Sequence, residues 1–135
     1  MKLRDLAPDL EAALTRMSAL PAGQRPCVVV EAHRRNSGIF IQYYGSFERP
    51  LRLMACFNPD TREIPGFEKA ATEWFGAEMV ISPDETFGRW TKECPSVTRA
   101  VEHGMSVCRH VLMLDWDTEL FIDEIVQTPE GGAHA

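Results

Sequence analysis

Apolar residues recur at helical spacing near the start of the chain. Leu6, Leu10, Ala13, Leu14, Met17 and Leu20 lie three or four residues apart and share one face of a helix. Pro8 suits the first turn of such a helix, and Pro21 with Gly23 ends the pattern. The spacing predicts a first helix over about residues 7–19.

Three β-prone stretches come next. Residues 27–32 (CVVVEA) are β-branched, residues 39–44 (IFIQYY) are apolar on both faces, and residues 51–57 alternate between apolar and other side chains. A polar turn, residues 34–38, separates the first two stretches as in a hairpin. This pattern predicts an antiparallel meander of three strands.

The second half of the chain contains both helical spacing and strand-like patterns. A helix is predicted from Pro65 to Gly76, strands at 79–82 and 87–94, and a third helix that Ser96 caps and that keeps helical spacing to Leu112. The DWDT stretch at 115–118 interrupts this pattern, and residues 118–127 are expected to resume as a last helical piece. Residues 1–127 should form one domain, followed by a flexible tail at 128–135.

The order of these elements predicts the fold class. Strands come in adjacent runs and helices do not alternate strictly with them, which is typical of an α+β fold. We expect an antiparallel sheet of about five strands with helices packed on one face, in the order α-β-β-β-α-β-β-α.

Composition limits the partners and the compartment. The 135 residues carry a net charge of -6, which disfavours the phosphate-binding surface that nucleic-acid binding needs. No apolar run reaches the length of about 20 residues that a membrane span requires. Four separated cysteines (Cys27, Cys56, Cys94, Cys108) and an N-terminal segment without a signal-peptide core suggest a cytoplasmic protein with reduced thiols. We expect no cofactor, no nucleic acid and no membrane partner.

No residue cluster has the spacing of a known catalytic or metal motif. His103, Cys108 and His110 come closest, but ligands on one helical face need steps of three or four residues. No metal site is therefore expected, and no catalytic residue is assigned.

An enzymatic alternative rests on two features. Cys94 precedes a predicted helix start, where the helix dipole could activate its thiol, and any of the histidines could serve as its base. Asp115 and Asp117 resemble a carboxylate pair, although an acidic stretch of this kind is more commonly a solvated surface. A small-molecule sensor is a further alternative that would need an enclosed cavity between sheet and helices.

The aromatic residues favour a binding function. Apolar residues on both faces of the second strand predict that the face without helices also meets something, either a partner or a thicker core of this chain. The residues expected to contact a partner polypeptide are Phe40, Tyr44, Met54 and Trp90. We expect a non-enzymatic protein-binding module that uses an apolar sheet face or an edge strand.

Three segments carry a resemblance to a known fold. FIQYYGSFERPLRLMAC, PGFEKAATEWFG and VTRAVEHGMSVCRHVLML resemble, in hydrophobic pattern, parts of the type III secretion chaperone-like fold, including the Tir-chaperone-like and bacterial sensory-regulator-like domains. The resemblance implies a small, acidic, cytoplasmic bacterial protein that binds a client polypeptide, is often a dimer and has no catalytic residues. An immunity or regulatory protein would bind its target through the same kind of apolar surface.

Overall fold

The computed structural model describes residues 1–20, 24–46, 49–56, 64–75, 79–81 and 88–127. For residues 49–56, 79–81 and 88–91 this description covers the backbone. The predicted tail at 128–135 and residues 57–63, with the end of the predicted third strand, lie outside it.

The chain forms helices and strands in the following order. A short 3-10 helix, Leu3–Asp5, leads into α1, and three strands, a helix, two strands, a helix and a final strand come after it. The elements are α1 (Leu6–Ser18), β1 (Arg25–Ala32), β2 (Phe40–Ser46), β3 (Arg49–Cys56), α2 (Phe67–Phe75), β4 (Met79–Ile81), β5 (Gly88–Cys94), α3 (Val97–His110) and β6 (Leu120–Gln127).

All described strands belong to one antiparallel sheet with the order β4-β5-β3-β2-β1-β6. The protein is therefore α+β, as the pattern predicts, and β1, β2 and β3 form the predicted meander. The sheet has six strands rather than about five, because a further strand pairs with β1 along its whole length.

The core lies between the helices and one face of the sheet. On β1 and β2 the buried residues alternate, Val28 and Val30 opposite Tyr43 and Ile41, and all four are at most 2% exposed. The apolar stripe of α1 packs against them, so the helical spacing near the N-terminus is explained by burial. We call this side of the sheet the inner face.

Helix α3 approaches the sheet closely. Ser96 caps it as predicted, its side chain accepting a hydrogen bond from the backbone N–H of Arg99 at 3.2 Å. The Tyr43 hydroxyl, fully buried, donates to the Ala100 carbonyl oxygen at 2.8 Å. Gly104 lies against the same hydroxyl, and a Cβ there would come within 1.8 Å of it. Only glycine allows this approach of helix and strand.

The prediction of a helical piece at 118–127 is wrong. Helix α3 ends at His110, and residues 120–127 form β6, paired with β1 from Ala32↔Leu120 to Arg25↔Gln127. The stretch LFIDEIVQ is rich in β-branched and aromatic residues, and apolar residues on both faces hide its period of two. Pairing with β1 is a long-range interaction that local spacing does not reveal. Across the described part of the chain, no helix is long and apolar enough to cross a membrane.

Candidate partner-binding surface

The face of the sheet opposite the helices carries partly exposed apolar side chains. We call it the outer face and define it by Cys27 and Val29 on β1, Phe40 and Tyr44 on β2, and Phe121 on β6, with Ile125 at its margin. The first five side chains are half-buried, and that of Ile125 is 41% exposed. Within the described ranges, the buried core residues come from the helices, the inner face and their connections. Among the described residues outside the strands, Arg35 of the turn between β1 and β2 covers part of this surface, over the Phe121 ring.

The structure brings together three of the four predicted contact positions. Phe40 and Tyr44 share the outer face on β2, and Met54 pairs with Gln42, which lies between them. Trp90 pairs with Ala55, which pairs with Ile41. By this register the backbone position of Trp90 belongs to the inner face, with Ile41, whereas Phe40, Tyr44 and Met54 occupy outer-face positions.

Strand β6 supplies residues that the sequence pattern misses. Phe121 lies across β1 from Phe40, the two being joined in register by Glu31, and Ile125 is joined to Tyr44 by Cys27. The pattern predicts a helix over this stretch and so misses both residues, because Leu120, Phe121 and Ile122 are consecutive apolar residues and give no period-two signal.

Charged side chains border β6 on the outer face. The Arg35 guanidinium lies over the Phe121 ring at 5.2 Å from its centroid and forms an ion pair with Asp123. On the inner side, Arg16 of α1 holds Glu124 through two hydrogen bonds of 2.8 Å, which lowers the pKa of the Glu124 carboxyl. These exposed pairs keep the acidic side chains of β6 folded back onto their own chain.

The open side of β6 is only partly paired. The backbone N–H of Leu120 donates to the Met1 carbonyl oxygen at 2.6 Å, so the N-terminal segment covers the start of this edge. His33 donates to Glu119 on the β1 side, and hydrogen-bonding direction alternates along an antiparallel strand. The backbone groups of Ile122, Glu124 and Val126 therefore point away from β1. In the described structure no other strand reaches them.

A small apolar cavity opens beside this edge. It has a volume of about 200 Å³ and lies between the end of α1 and the strands β1 and β6. Its lining includes Met17, Leu20, Val28, Ile125 and Val126, with Arg16 and Glu124 among the polar contributors. Val126 is 48% exposed, so an apolar patch continues from the cavity to solvent.

A second cavity contains the residues of the enzymatic alternative. About 290 Å³ in volume, it is lined by Cys94 and His103 together with Lys92, Glu93, Arg99 and Glu102. The Cys94 thiol is 5% exposed and donates to the Lys92 carbonyl oxygen at 3.7 Å. Burial, and secondarily the charge of Lys92, lowers the pKa of His103 to about 4. The imidazole is thus neutral at pH 7 and a weak proton acceptor.

The other candidate reactive groups do not lie together in one site. Asp115 and Asp117 are exposed, and Asp117 forms ion pairs with Arg4 and Lys2, as a solvated acidic surface would. Burial raises the pKa of the Cys108 thiol to about 12, which leaves it unreactive. No group of three metal-ligating side chains occurs among the described residues.

Two further apolar side chains are exposed in the loop after α3. Met113 is 64% exposed in a left-handed backbone conformation, with φ of 56°, and Trp116 is 46% exposed. The Arg109 guanidinium lies 4.8 Å from the centroid of the Trp116 ring. This loop is separate from the outer face as defined above.

Comparison with known proteins yields no relative. The chain matches no model of a known protein family, no curated protein and no solved structure.

Proposed function

We propose that this protein is a non-enzymatic, cytoplasmic protein-binding module that engages a partner polypeptide through the outer face of its sheet and the adjoining edge of β6. One observation carries the proposal: helices cover one face, whereas the opposite face presents half-buried Phe40 and Tyr44 on β2 and Phe121 on β6, with β1 between these two strands. Aromatic side chains in such a position are typical anchors of protein interfaces.

The energetics support a binding surface of moderate affinity. Covering apolar surface contributes about 25 cal/mol per Å² removed from water, and aromatic side chains contribute the largest areas. The losses of rotational and translational freedom on association offset much of this gain. A partner that covers only one aromatic side chain would bind weakly, so we expect it to extend across β1, β2 and β6.

A chaperone-like role agrees with the hydrophobic pattern shared with type III secretion chaperone-like domains and with the net charge of -6. In that role the client is a polypeptide, the protein is bacterial, and a homodimer is one form of the free protein. A regulatory or immunity protein would bind its target through the same surface, and the identity of the captured chain separates these roles.

Site-specific photo-crosslinking tests the surface. A photoreactive amino acid at Tyr44 should yield a discrete adduct of defined mass in the producing cell, whereas the same group at exposed Asp9 on α1 should not. Mass spectrometry identifies the adduct, and light scattering of the purified protein distinguishes a second copy from another chain. Equal adducts from both positions, or none from position 44, would contradict the proposal.

A small enzyme is the second candidate function, favoured by the presence of Cys94 and His103 in one cavity. Its thiol would have to react with iodoacetamide faster at pH 7 than a free cysteine does, and replacing His103 with Gln would have to slow that reaction. Alkylation of Cys94 only after unfolding would exclude this nucleophile. A Cys94→Ser variant that still gives the position-44 adduct would further favour the binding function.

A further inference from the structure

We propose that two copies of this chain pair edge to edge through β6, antiparallel and about a two-fold axis at Glu124. The joined sheet would have twelve strands, six from each copy, with the helices of both copies on one side and both outer faces on the other. This inference rests on the proposed function only in its choice of surface. It assigns the edge to a second copy and leaves the outer face to another partner.

The edge of β6 lacks the usual protections against pairing. Edge strands are commonly kept from pairing by a short length, by Lys or Pro, or by a bulge. The strand at the opposite edge, β4, has three residues. Strand β6 has eight residues, without Lys, Arg or Pro, and it pairs with β1 in an uninterrupted register. Because Ile125 and Val126 are also 41% and 48% exposed, this edge favours the addition of another strand.

The free part of the edge has limits that suit a second copy. The backbone N–H of Leu120 donates to the Met1 carbonyl oxygen at 2.6 Å, so the N-terminal segment already occupies position 120. The strand ends at Gln127. The free part therefore runs over residues 121–127, and its midpoint is Glu124. Any other antiparallel register of two copies would pair fewer residues or would collide with the N-terminal segment.

This register satisfies the backbone groups that point away from β1. Those groups belong to Ile122, Glu124 and Val126, because every second residue of β6 bonds to β1. Glu124 would lie opposite Glu124 of the other copy, and each Ile122 would lie opposite a Val126. The three residue pairs would form about six backbone hydrogen bonds, two for each pair.

Charge favours a partner that brings no surplus charge to the edge. The acidic side chains of this region already have cations of their own chain: Glu119 pairs with the Met1 ammonium group, Asp123 with Arg35, and Glu124 with Arg16. Two Glu124 carboxylates would meet at the axis, and like charges in that position are destabilising. Each carboxylate, however, holds its own Arg16 through two hydrogen bonds of 2.8 Å, so the four charges sum to zero. A second copy brings an edge that is neutralised in the same way.

Two-fold pairing also closes the assembly. A contact between the same surface of two copies uses both β6 edges at once and ends with a dimer. Pairing of β6 with β4 of another copy would leave one free edge at each end and build an open chain. On the helical side, Ile122 of one copy would meet Val126 of the other beside the apolar cavity at the end of α1. The pairing would thus reduce the exposure of Val126.

The direct test combines sedimentation velocity with hydrogen exchange over a range of protein concentrations. An interface of this small size predicts a reversible dimer with a dissociation constant of about 10–100 µM. The amides of Ile122, Glu124 and Val126 should exchange more slowly in the dimer than in the monomer. The amides of Phe121 and Asp123, which point to β1, are the internal control and should not change. A monomer at every concentration, or a dimer that leaves the first three amides unprotected, would overturn the proposal.

A pair of variants locates the contact. Val126→Pro removes an outward N–H from each copy and leaves the bonds to β1 intact, whereas Val126→Thr keeps that N–H and the β-branched shape. We expect the dissociation constant to rise at least about tenfold for the proline variant and to change less than about threefold for the threonine variant. Circular dichroism of dilute samples checks that both fold. Equal dimerisation of the folded proline variant would contradict the proposal, and hydrogen exchange of the original chain decides the question if that variant does not fold.

The crosslinking experiment at position 44 separates this inference from the proposed function. A dimer protected at the β6 amides without an adduct at position 44 would support the edge pairing and contradict the outer face as a binding surface. A monomer that gives a discrete adduct with another chain at position 44 would do the reverse. An adduct between two copies at position 44, with normal dimerisation of Val126→Pro, would place the second copy on the outer face and overturn the edge pairing.

Discussion

Tyr43 and Tyr44 are neighbours on β2, yet they lie in opposite environments. Tyr43 is fully buried on the inner face, with its hydroxyl bonded to Ala100 of α3, and burial raises its pKa well above the usual value. Tyr44 is half-buried on the outer face, where it is joined through Cys27 to exposed Ile125. The same residue type is thus part of the core on one face and partly exposed on the other.

This difference predicts which substitutions should affect stability and which should affect binding. At Gly104, helix α3 lies so close to the inner face that no room is left for an added methyl group. Outer-face side chains are half-buried, so we expect truncations there to leave smaller cavities than truncations of the fully buried core residues. We expect inner-face changes to affect the free energy of unfolding and outer-face changes to affect binding.

The largest expected effect is that of Gly104→Ala. The new Cβ would be 1.8 Å from the Tyr43 hydroxyl oxygen and 3.1 Å from its Cζ, so helix and strand must separate. Overpacking of this kind costs about 1–3 kcal/mol or more, and the better helix propensity of alanine offsets about 1 kcal/mol. We expect a net loss of about 2 kcal/mol in chemical denaturation, a loss typical of overpacking rather than of surface change.

A double-mutant cycle checks the cause of that loss. In a Tyr43→Phe background the hydroxyl is gone, so Gly104→Ala should cost at least about 1 kcal/mol less than it does in the original chain. Equal costs in both backgrounds would show that the clash with the hydroxyl is not what makes glycine necessary.

The next largest effect concerns His103, which lies on the helix that covers the inner face. Its pKa is lowered from 6.5 to about 4 because burial disfavours the charged ring. As the pH falls, this histidine is protonated in the unfolded chain first, near pH 6.5. The contribution of neutral His103 to the free energy of unfolding is therefore fully present above pH 6.5 and is lost as the pH falls towards 4. Because the ring is partly exposed, we discount the full value and expect about 1 kcal/mol.

The measurement is the free energy of unfolding between pH 7 and pH 4. His103→Gln should flatten the curve relative to the original chain. An unchanged slope between pH 7 and pH 4 in this variant would indicate that the titration of His103 is not responsible.

The sequence pattern predicts the inner face better than the edge of the sheet. The helical spacing of Leu6 and Leu10 and the run of β-branched residues at 28–30 are local signals, and both segments contribute buried residues to the core. The Ser96 cap is local too. These elements could therefore be located without knowledge of the fold.

Strand β6 could not be located in this way. Its identity depends on β1, which lies about ninety residues earlier, and its apolar residues occupy both faces, as Leu120 and Phe121 do. Phe121 and Val126 belong to this strand and are therefore not predicted, whereas the outer-face positions Phe40, Tyr44 and Met54 are. Similarly, Cys94 and His103 line one cavity because β5 passes beside α3, a tertiary relation that spacing along the chain does not encode.

An effect of comparable size is expected from removing the buried tyrosine hydroxyl, and a smaller one from removing its half-buried neighbour. Tyr43→Phe loses the buried hydrogen bond to Ala100, which should cost about 1 kcal/mol. Tyr44→Phe should change stability by less than about 0.5 kcal/mol, because its side chain is half in water. Denaturation midpoints of the two variants compare the faces directly, and equal losses would contradict the assignment of Tyr44 to the outer face.

The smallest effect is expected at the margin of the outer face, for Arg35→Gln. Arg35 pairs with Asp123 and lies over Phe121, but its side chain is 55% exposed and that of Asp123 is 40% exposed. Exposed ion pairs contribute about 0–1 kcal/mol and are screened by salt, so we expect a loss of at most about 0.5 kcal/mol that shrinks at high ionic strength. Asp123→Asn is the matched control, since it removes the ion pair and keeps the cation over the ring. A larger loss for Arg35→Gln than for Asp123→Asn, unchanged by salt, would mean that packing of the guanidinium on Phe121 holds this margin together, and that the outer face is partly closed by its own side chains.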